Sequence, residues 1–468
     1  MEVEKKRDYR GHVMVVPYHG QGHMNPMLQF CKRLSSKGIK ITVATTVSVI
    51  KSLQQTKQVI IGESISLEPI YDDIIEGDMK TLGGFKVFSE KFESIASKNL
   101  EKLIMKTQEN PLDYLIKCLV YDANLPWCLG IAKEVSVLGA AFFTQSCSSI
   151  YSYYKMTLDG EEGDKGPNSS IPDLSTIGIP VLRSFEGTSN SSGKHPPFLK
   201  FILDQLSNIK EADWVLFNSF DQLEEEVVEW MSKMCPVKTI GPTIPSVYLD
   251  NRIQDDNEYG FNLFKPNEDA CANWLNTKEP GTVVYISFGS AASLGPEQME
   301  EIAWGLIESK THFLWVVRES EESKLPINFL QETSKNGIGL IVNWCPQLQV
   351  LSHEAVGCFM THCGWNSTIE GVCLGVPMVA MPQFLDQFSG AKFVEEVWRM
   401  GIRVRVDDKG FVRREEICRC IKEVMEGERF EEIKRNANKW KELAKDAVNE
   451  GGSSDNNIEE IIARLVHH

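Results

Sequence analysis

The chain is short of positive charge. Its 49 lysines and arginines face 65 aspartates and glutamates, for a formal net charge of −16. A surface of that sign excludes nucleic acid and anionic membrane as general partners, because both need basic patches. An anionic ligand would have to be held locally, by backbone amides or a few well-placed side chains. Long apolar runs are lacking too: the run from His12 to Tyr18 falls far below the roughly 20 residues that span a bilayer. The 12 cysteines never form Cys-x-x-Cys, and Cys358, His362 and Cys363 are too few ligands for a zinc site. With no leader pattern at the charged N-terminus, this cysteine usage predicts reduced thiols in a cytosolic protein.

What is present is enough for packed cores, with 42% hydrophobic and 9% aromatic residues. A single core rarely grows past about 250–300 residues, so a chain of 468 residues predicts two domains. Strand and helix signals alternate along it. HVMVVPY (12–18) reads as a buried strand, followed by a Gly-rich turn and a helix over 25–34. ITVATT (41–46), LIKCLVY (115–121), GAAFFT (139–144) and WVLFNS (214–219) are further strands, and 85–104 has helical spacing of apolar residues. The stretch 159–194 is rich in Gly, Ser and Asp and reads as loop. After a proline-bearing, aperiodic stretch the pattern restarts with VVYISFGS (283–290), a helix from Pro296, FLWVVR (313–318), GLIVNW (339–344), GCFMTH (357–362), MVAMP (378–382) and GIRVRV (401–406). A helix over 428–450, a Gly-Gly-Ser-Ser break and a last helix over 457–466 end the chain.

Strands alternating with helices imply crossover connections and mostly parallel sheets. The expected fold is therefore α/β, with two doubly wound domains and a ligand cleft at the carboxyl ends of their strands. The expected divisions are 1–242, a linker over 243–270, a second domain over 271–450, and a C-terminal helix over 451–468 that packs back on the first domain.

Three clusters follow strand ends. The first is His362, Cys363, Gly364, Trp365, Asn366, Ser367, where glycine and a helix start can offer backbone N–H groups to an anion; a plain helix cap with polar decoration would look the same. It is not a Walker loop. The second is Gly20, Gln21, Gly22, His23, which lacks the Gly-x-Gly-x-x-Gly spacing of a dinucleotide site. Its histidine can be a general base or simply structural. The third is Asp122, which by spacing alone is a turn aspartate, a helix cap or a functional carboxylate.

The run WCPQLQVLSHEAVGCFMTHCGWNSTIEGVCLGVPMVAMPQFLDQ, Trp344 to Gln387, resembles the plant secondary-product box of family 1 UDP-sugar glycosyltransferases. The PYHGQGHMNP start, the YDANLPW segment, the SFGS strand end and the EGGSSDNNIEE tail extend the resemblance over essentially the whole chain. It is closest to the branch acting on phenolic acids, steroids and triterpenes. The resemblance implies the GT-B fold, two facing Rossmann-like domains. It implies that Trp344 stacks on uracil, with the backbone of Cys345 on the base edge, and that Gln347 and Glu370 hold the ribose. His362, Asn366, Ser367 and Ser290 would contact the diphosphate, and Trp365, Asp386 and Gln387 the sugar hydroxyls. A flat aromatic for a base, an acid for a diol and donors for phosphate fit these roles chemically. His23 becomes the expected base and Asp122 the group that orients it; Thr144 matches a position near the donor sugar. His19 stands where relatives more often carry proline or a small residue, and with Gly20 it is a candidate for the acceptor pocket.

The implied enzyme transfers glucose from UDP-glucose, a co-substrate, to a hydroxyl or carboxylate of a small lipophilic acceptor such as a steroid, triterpenoid, flavonoid or phenolic, with inversion. No cofactor is expected. The chain has no Asp-x-Asp, the manganese anchor of the other glycosyltransferase fold, so no metal is expected either. A monomer is the default. Two rivals share the architecture: a nicotinamide-dependent oxidoreductase, against which the missing glycine fingerprint speaks, and a non-catalytic binding protein, against which the joint presence of His23 and Asp122 speaks.

Overall fold

The computed structural model describes residues 9–55, 64–72, 85–110, 114–160, 197–262, 267–290, 292–384 and 386–468. Most of the expected loop over 159–194 and of the segment 74–86 lies outside the described residues. The chain divides into two compact units. The first takes the described residues up to 160, together with 197–262 and 446–468, and the second takes 267–445.

In the first unit the described strands are β1 (Gly11–Val16), β2 (Ile39–Thr46), β3 (Ile65–Tyr71), β4 (Ile116–Asp122), β5 (Leu138–Phe143), β6 (Trp214–Phe217) and β7 (Val237–Thr239). They pair in parallel in the order β3-β2-β1-β4-β5-β6-β7. Every residue of β1 is buried, which explains why it reads as a continuous apolar run: a parallel sheet covered on both faces has no polar side. The helix after β1 runs from Gln21 to Ser36 and carries Pro26 inside it. The sequence signal starts later, at Asn25, because proline favours a first turn; here Gly20 is the N-cap instead.

Residues 243–262 are tied to this unit rather than strung out. Lys32 pairs with Asp256 at 2.6 Å and Arg33 with Asp250 at 2.5 Å, and Ser246 N–H donates to Asp256. The last helix, Ser453–His467, starts directly after Gly452, so Ser453 and Ser454 belong to it. Its Ile458, Ile461, Ile462 and Leu465 join the core built on Val13, Val15 and Ile41. Lys37 bridges Asp455 and Glu459, and Asn457 donates to the Thr239 carbonyl.

The second unit holds β8 (Val283–Ser287), β9 (His312–Val316), β10 (Gly339–Val342), β11 (Val356–Thr361), β12 (Met378–Ala380) and β13 (Gly401–Arg403). All pair in parallel, in the order β10-β9-β8-β11-β12-β13. β13 ends at Arg403, short of the expected Val406, because its partner β12 offers only Met378, Val379 and Ala380 to pair with. Val406 is 62% exposed. Among the described residues no helix is long and apolar enough to cross a membrane, and all 12 cysteines are unpaired.

One buried carboxylate helps hold the first unit. Glu224 accepts from the backbone N–H groups of Cys147 and Ser148 and from the Ser219 hydroxyl, at 3.1, 2.9 and 2.8 Å. It caps the helix Cys147–Gly160, whose first N–H groups have no partner within the helix. Burial pushes its carboxyl above the usual range, while the donors pull the other way. Glu224→Ala should cost about 2–4 kcal/mol, since it leaves three buried donors unpaired. Glu224→Gln, which keeps an acceptor oxygen, should cost less. Urea unfolding measures both; a loss under about 0.5 kcal/mol for the alanine variant would contradict the capping role.

Candidate active site

In each sheet the strand order reverses direction at one place, between β1 and β4 and between β8 and β11. Open α/β sheets bind ligands at the carboxyl ends of such strands. In the first unit Val16 pairs with Tyr121, so the turn after β1 lies beside the end of β4. His23, in the first turns of the helix after β1, reaches across to Asp122: Nδ1 is 2.8 Å from Oδ2. The aspartate side chain is 1% exposed and the histidine 23%. A carboxylate can only accept, so Nδ1 carries the proton, and Nε2 is left as the nitrogen that can take one. Asp122 Oδ1 accepts from the Asn124 N–H at 2.9 Å. Thr144 Oγ1 and Asn124 Nδ2 also approach His23 Nδ1, at 3.2 and 3.4 Å. Thr144 therefore stands on the inner nitrogen of the histidine.

A cavity of about 450 Å³ opens at Tyr18 and Asn124, both of which contact His23, although neither His23 nor Asp122 lines it. Tyr18, Phe88, Phe92, Trp127 and Phe201 form aromatic walls, and Asn124, Glu93 and Asp204 supply polar groups. His19 and Gly20 do not line it. His19 instead backs the wall, with its ring 5.9 and 6.0 Å from those of Phe88 and Phe92. Burial lowers its pKa to about 4; His23 adds to that and Asp122 opposes it.

In the second unit β11 ends at Thr361 and turns sharply. Cys363 takes φ +61, a left-handed conformation that is uncommon outside glycine. Gly364 then caps the helix Trp365–Leu374, with no side-chain cap and no acidic residue in its first turn. That leaves a helix N-terminus suited to an anion. His362 lies between two glycines. A Cβ on Gly364 would stand 2.5 Å from its Nε2, and one on Gly289, at φ +72, would stand 2.8 Å away. Burial lowers the His362 pKa to about 4, against a smaller upward pull from the Ser287 backbone.

The other expected residues gather nearby. Gln347 donates to Ser367 Oγ at 2.9 Å and to Glu370 Oε2 at 2.6 Å, and accepts from the Tyr285 hydroxyl at 3.0 Å. Tyr285 OH also lies 3.3 Å from Cys345 Sγ. Trp344 is half-buried, and its carbonyl accepts from Asn267 N–H. Trp365 is 6% exposed and packs on Trp398, so its ring serves the core. Gln387 uses Oε1 on the N–H groups of Gln383 and Phe384, leaving Nε2 as the end that can meet a ligand. Asp386 is the N-cap residue of the helix Gln387–Lys392. Ser290 is anchored from behind: Arg318 donates to the carbonyls of Ser290 and Ala292, and Lys324 to the Leu294 carbonyl. Nothing in the local sequence marks Arg318, just past β9, or Asn124, two residues past β4, since their partners are distant in the chain or set by the turn.

A family profile described as UDP-glucoronosyl and UDP-glucosyl transferase matches residues 250–449. The UDP-glucosyl transferase 74CD1 of Saponaria officinalis is 47% identical over 467 residues, covering 98% of both chains. The flavonol 7-O-beta-glucosyltransferase of Arabidopsis thaliana is 44% identical, covering 97% of this chain and 98% of its own. Os79 of O. sativa, solved in complex with UDP, superposes with a TM-score of 0.84 at 36% identity, over 97% of this chain and 100% of its own. The chain belongs to the plant UDP-glycosyltransferases. It is a UDP-sugar-dependent glycosyltransferase of the GT-B fold, and the oxidoreductase reading is set aside.

Half-buried His19 of this glycosyltransferase makes a test of pH. His19 is held near 4 in the folded state but titrates near 6.5 when unfolded. Between those values the unfolded chain binds more protons, so stability falls as pH drops from about 6.5 toward about 4. His19→Phe keeps an aromatic ring and removes that group, so it should lose less stability between pH 7 and pH 5 than the parent. Urea unfolding at the two pH values tests this; equal losses would show that His19 does not carry the effect.

Proposed function

We propose that this enzyme transfers glucose from UDP-glucose, with inversion, to a hydroxyl of a small lipophilic acceptor such as a steroid, triterpenoid, flavonoid or phenolic. The observation that carries the reading is the 2.8 Å contact of His23 Nδ1 with buried Asp122 beside an aromatic-walled cavity. The relative named for flavonol 7-O-glucosylation supports an aromatic acceptor.

In this reading His23 Nε2 takes the proton of the acceptor hydroxyl. The oxygen attacks the anomeric carbon, its bond to the diphosphate oxygen breaks, and uridine diphosphate departs. Asp122 fixes the tautomer and stabilises the imidazolium, as an orienting carboxylate does in hydrolase triads. On the donor side, Trp344 and the Cys345 backbone take the uracil, and Gln347 and Glu370 the ribose. Ser290, His362, Asn366, Ser367 and the helix start take the diphosphate, whose growing charge is the electrostatic half of the work. Asp386, the Nε2 of Gln387 and the backbone at Trp365, whose ring packs on Trp398, meet the sugar, with Thr144 near it. A carboxylic acid acceptor is already ionised at neutral pH and would give a glucose ester with less need of the base. The enzyme works as a monomer in the cytosol, without a cofactor or metal.

A positioned general base contributes about 10²–10⁴-fold. His23→Ala should cut turnover of an alcohol acceptor by about that factor and leave uridine diphosphate affinity near the parent value. Asp122→Ala should cost somewhat less, and the double variant little more than His23→Ala alone. Steady-state kinetics and calorimetric titration decide. An active His23→Ala with a dead His19→Ala would mean the base is misassigned.

Donor choice and metal use give a further check. UDP-glucose should be preferred over UDP-galactose and UDP-glucuronate, because Asp386 disfavours a uronate carboxylate and Gln387 suits an equatorial 4-hydroxyl. Activity should survive exhaustive chelation. Equal efficiency with the three donors, or loss on chelation restored by manganese, would contradict these assignments.

A further inference from the structure

We infer that Gly130 sets the size of acceptor this enzyme takes, by leaving open the edge of the cavity over which an extended, multi-ring acceptor lies. The inference rests on the reading of the cavity as the acceptor site. Gly130 is inside the helix Trp127–Glu134 and lines the cavity. Its neighbours one turn away show which way that helix face points. Trp127, three residues before it, is a cavity wall, and Lys133, three residues after it, reaches across to Glu211. Residues three apart share a helix face, so Gly130 stands between those two, on the side turned toward the segment that carries Asn208 and Glu211. Asn208 Nδ2 donates to the Pro126 carbonyl at 2.7 Å. The segment is thus tied to this helix before and after Gly130, while Cys128, Leu129, Ile131 and Ala132 of the helix are buried.

Glycine inside a helix is unfavourable, because it loses the most backbone freedom on folding, and this helix has only eight residues. Elsewhere in the chain close packing gives the reason. A Cβ on Gly305 would stand 2.9 Å from the Ile417 side chain, and one on Gly371 2.9 Å from Met378 Cε. At Gly130 that reason is missing: among the described residues nothing lies within 4 Å of where its Cβ would be. Its backbone is not left-handed either. What the glycine leaves is room, and the room lies on the cavity. A one-ring acceptor needs the part near Tyr18 and Asn124, which contact His23. A body of four fused rings has to run on from there, past Trp127 and over Gly130. A side chain at Gly130 would stand in that path.

The test uses UDP-glucose with 4-tert-butylphenol and oestrone, which carry one phenolic hydroxyl each and differ in how far the body extends. In Gly130→Leu the ratio of kcat/KM for oestrone to that for 4-tert-butylphenol should fall at least about tenfold, mainly through KM, as overfilling a packed site brings. Gly130→Ala should lower the ratio by less, and it serves if the leucine variant does not fold. Both variants should unfold at a higher urea midpoint than the parent, because each is a better helix former. A ratio unchanged in Gly130→Leu, or in Gly130→Ala where that variant has to serve, overturns the role of Gly130. So does a lowered urea midpoint in Gly130→Ala, which would show that the glycine serves the fold. A parent that glucosylates 4-tert-butylphenol but not oestrone overturns the inference too, and each of these results leaves the glucosyltransferase reading standing. No transfer to either acceptor sinks that reading, and this inference with it.

Discussion

The parallel pairing of β1 with β4 is the constraint on which the contact of His23 with Asp122 depends. His23 and Asp122 are far apart in the chain, and only the register that sets Val16 against Tyr121 brings the turn after one strand to the end of the other. Because the connections from these two strands leave toward opposite sides, the space above their carboxyl ends stays open. The second unit repeats the device. Thr361 pairs with Ser287, so the loop after β8 and the turn after β11 lie side by side, close enough that a side chain on Gly289 or Gly364 would collide with His362. Glycine is needed there for room, and at Gly289 also for its left-handed backbone.

That arrangement explains how a chain of net charge −16 could hold a diphosphate. The second unit offers neutral donors: the uncapped start of the helix Trp365–Leu374, glycine turns and hydroxyls. The guanidinium behind Ser290 is occupied elsewhere. Arg318 donates to the carbonyls of Ser290 and Ala292 and lies 3.9 Å from Glu321. Burial works to raise the Glu321 carboxyl, but Lys324, Ser293 and Arg318 together hold it low, so it stays charged. The cation thus shapes the loop from behind by fixing which way its carbonyls point. Preorganised backbone dipoles do not have to rearrange when charge develops, which a mobile lysine would.

The strand ends were the most legible part of the sequence, for a physical reason. Parallel strands buried on both faces leave long apolar runs, as in HVMVVPY and VVYISFGS, and the polar residues just after them stand out. His23, Asp122, Ser290 and His362 all announce themselves this way. β3 and β7 did not, since ISLEPIY carries a glutamate and a proline and β7 has only three residues. The environment of each side chain was illegible for another reason: it is set by contacts distant in sequence. Nothing local says that Trp365 packs on Trp398, or that Gln387 uses its oxygen on its own loop. The proline-bearing stretch after Ile240 looks unstructured because it has no period of its own; its order comes from ion pairs to Lys32 and Arg33.

The first unit places three histidines near the same strands, and their surroundings separate their chemistry. His12 is 1% exposed, with one ring nitrogen on the Tyr114 carbonyl and the other on Thr42 Oγ1. Both of its nitrogens are committed, so it can only be structural. His19 is walled by aromatic rings and held near 4. A group that resists protonation so strongly gains little by accepting a proton in a transition state. His23 alone combines partial exposure with a buried carboxylate on one nitrogen, the arrangement that stabilises an imidazolium as it forms. Three identical side chains thus divide into a brace, a wall and the proposed base by what surrounds each ring, and the surroundings follow from where β1 begins and ends.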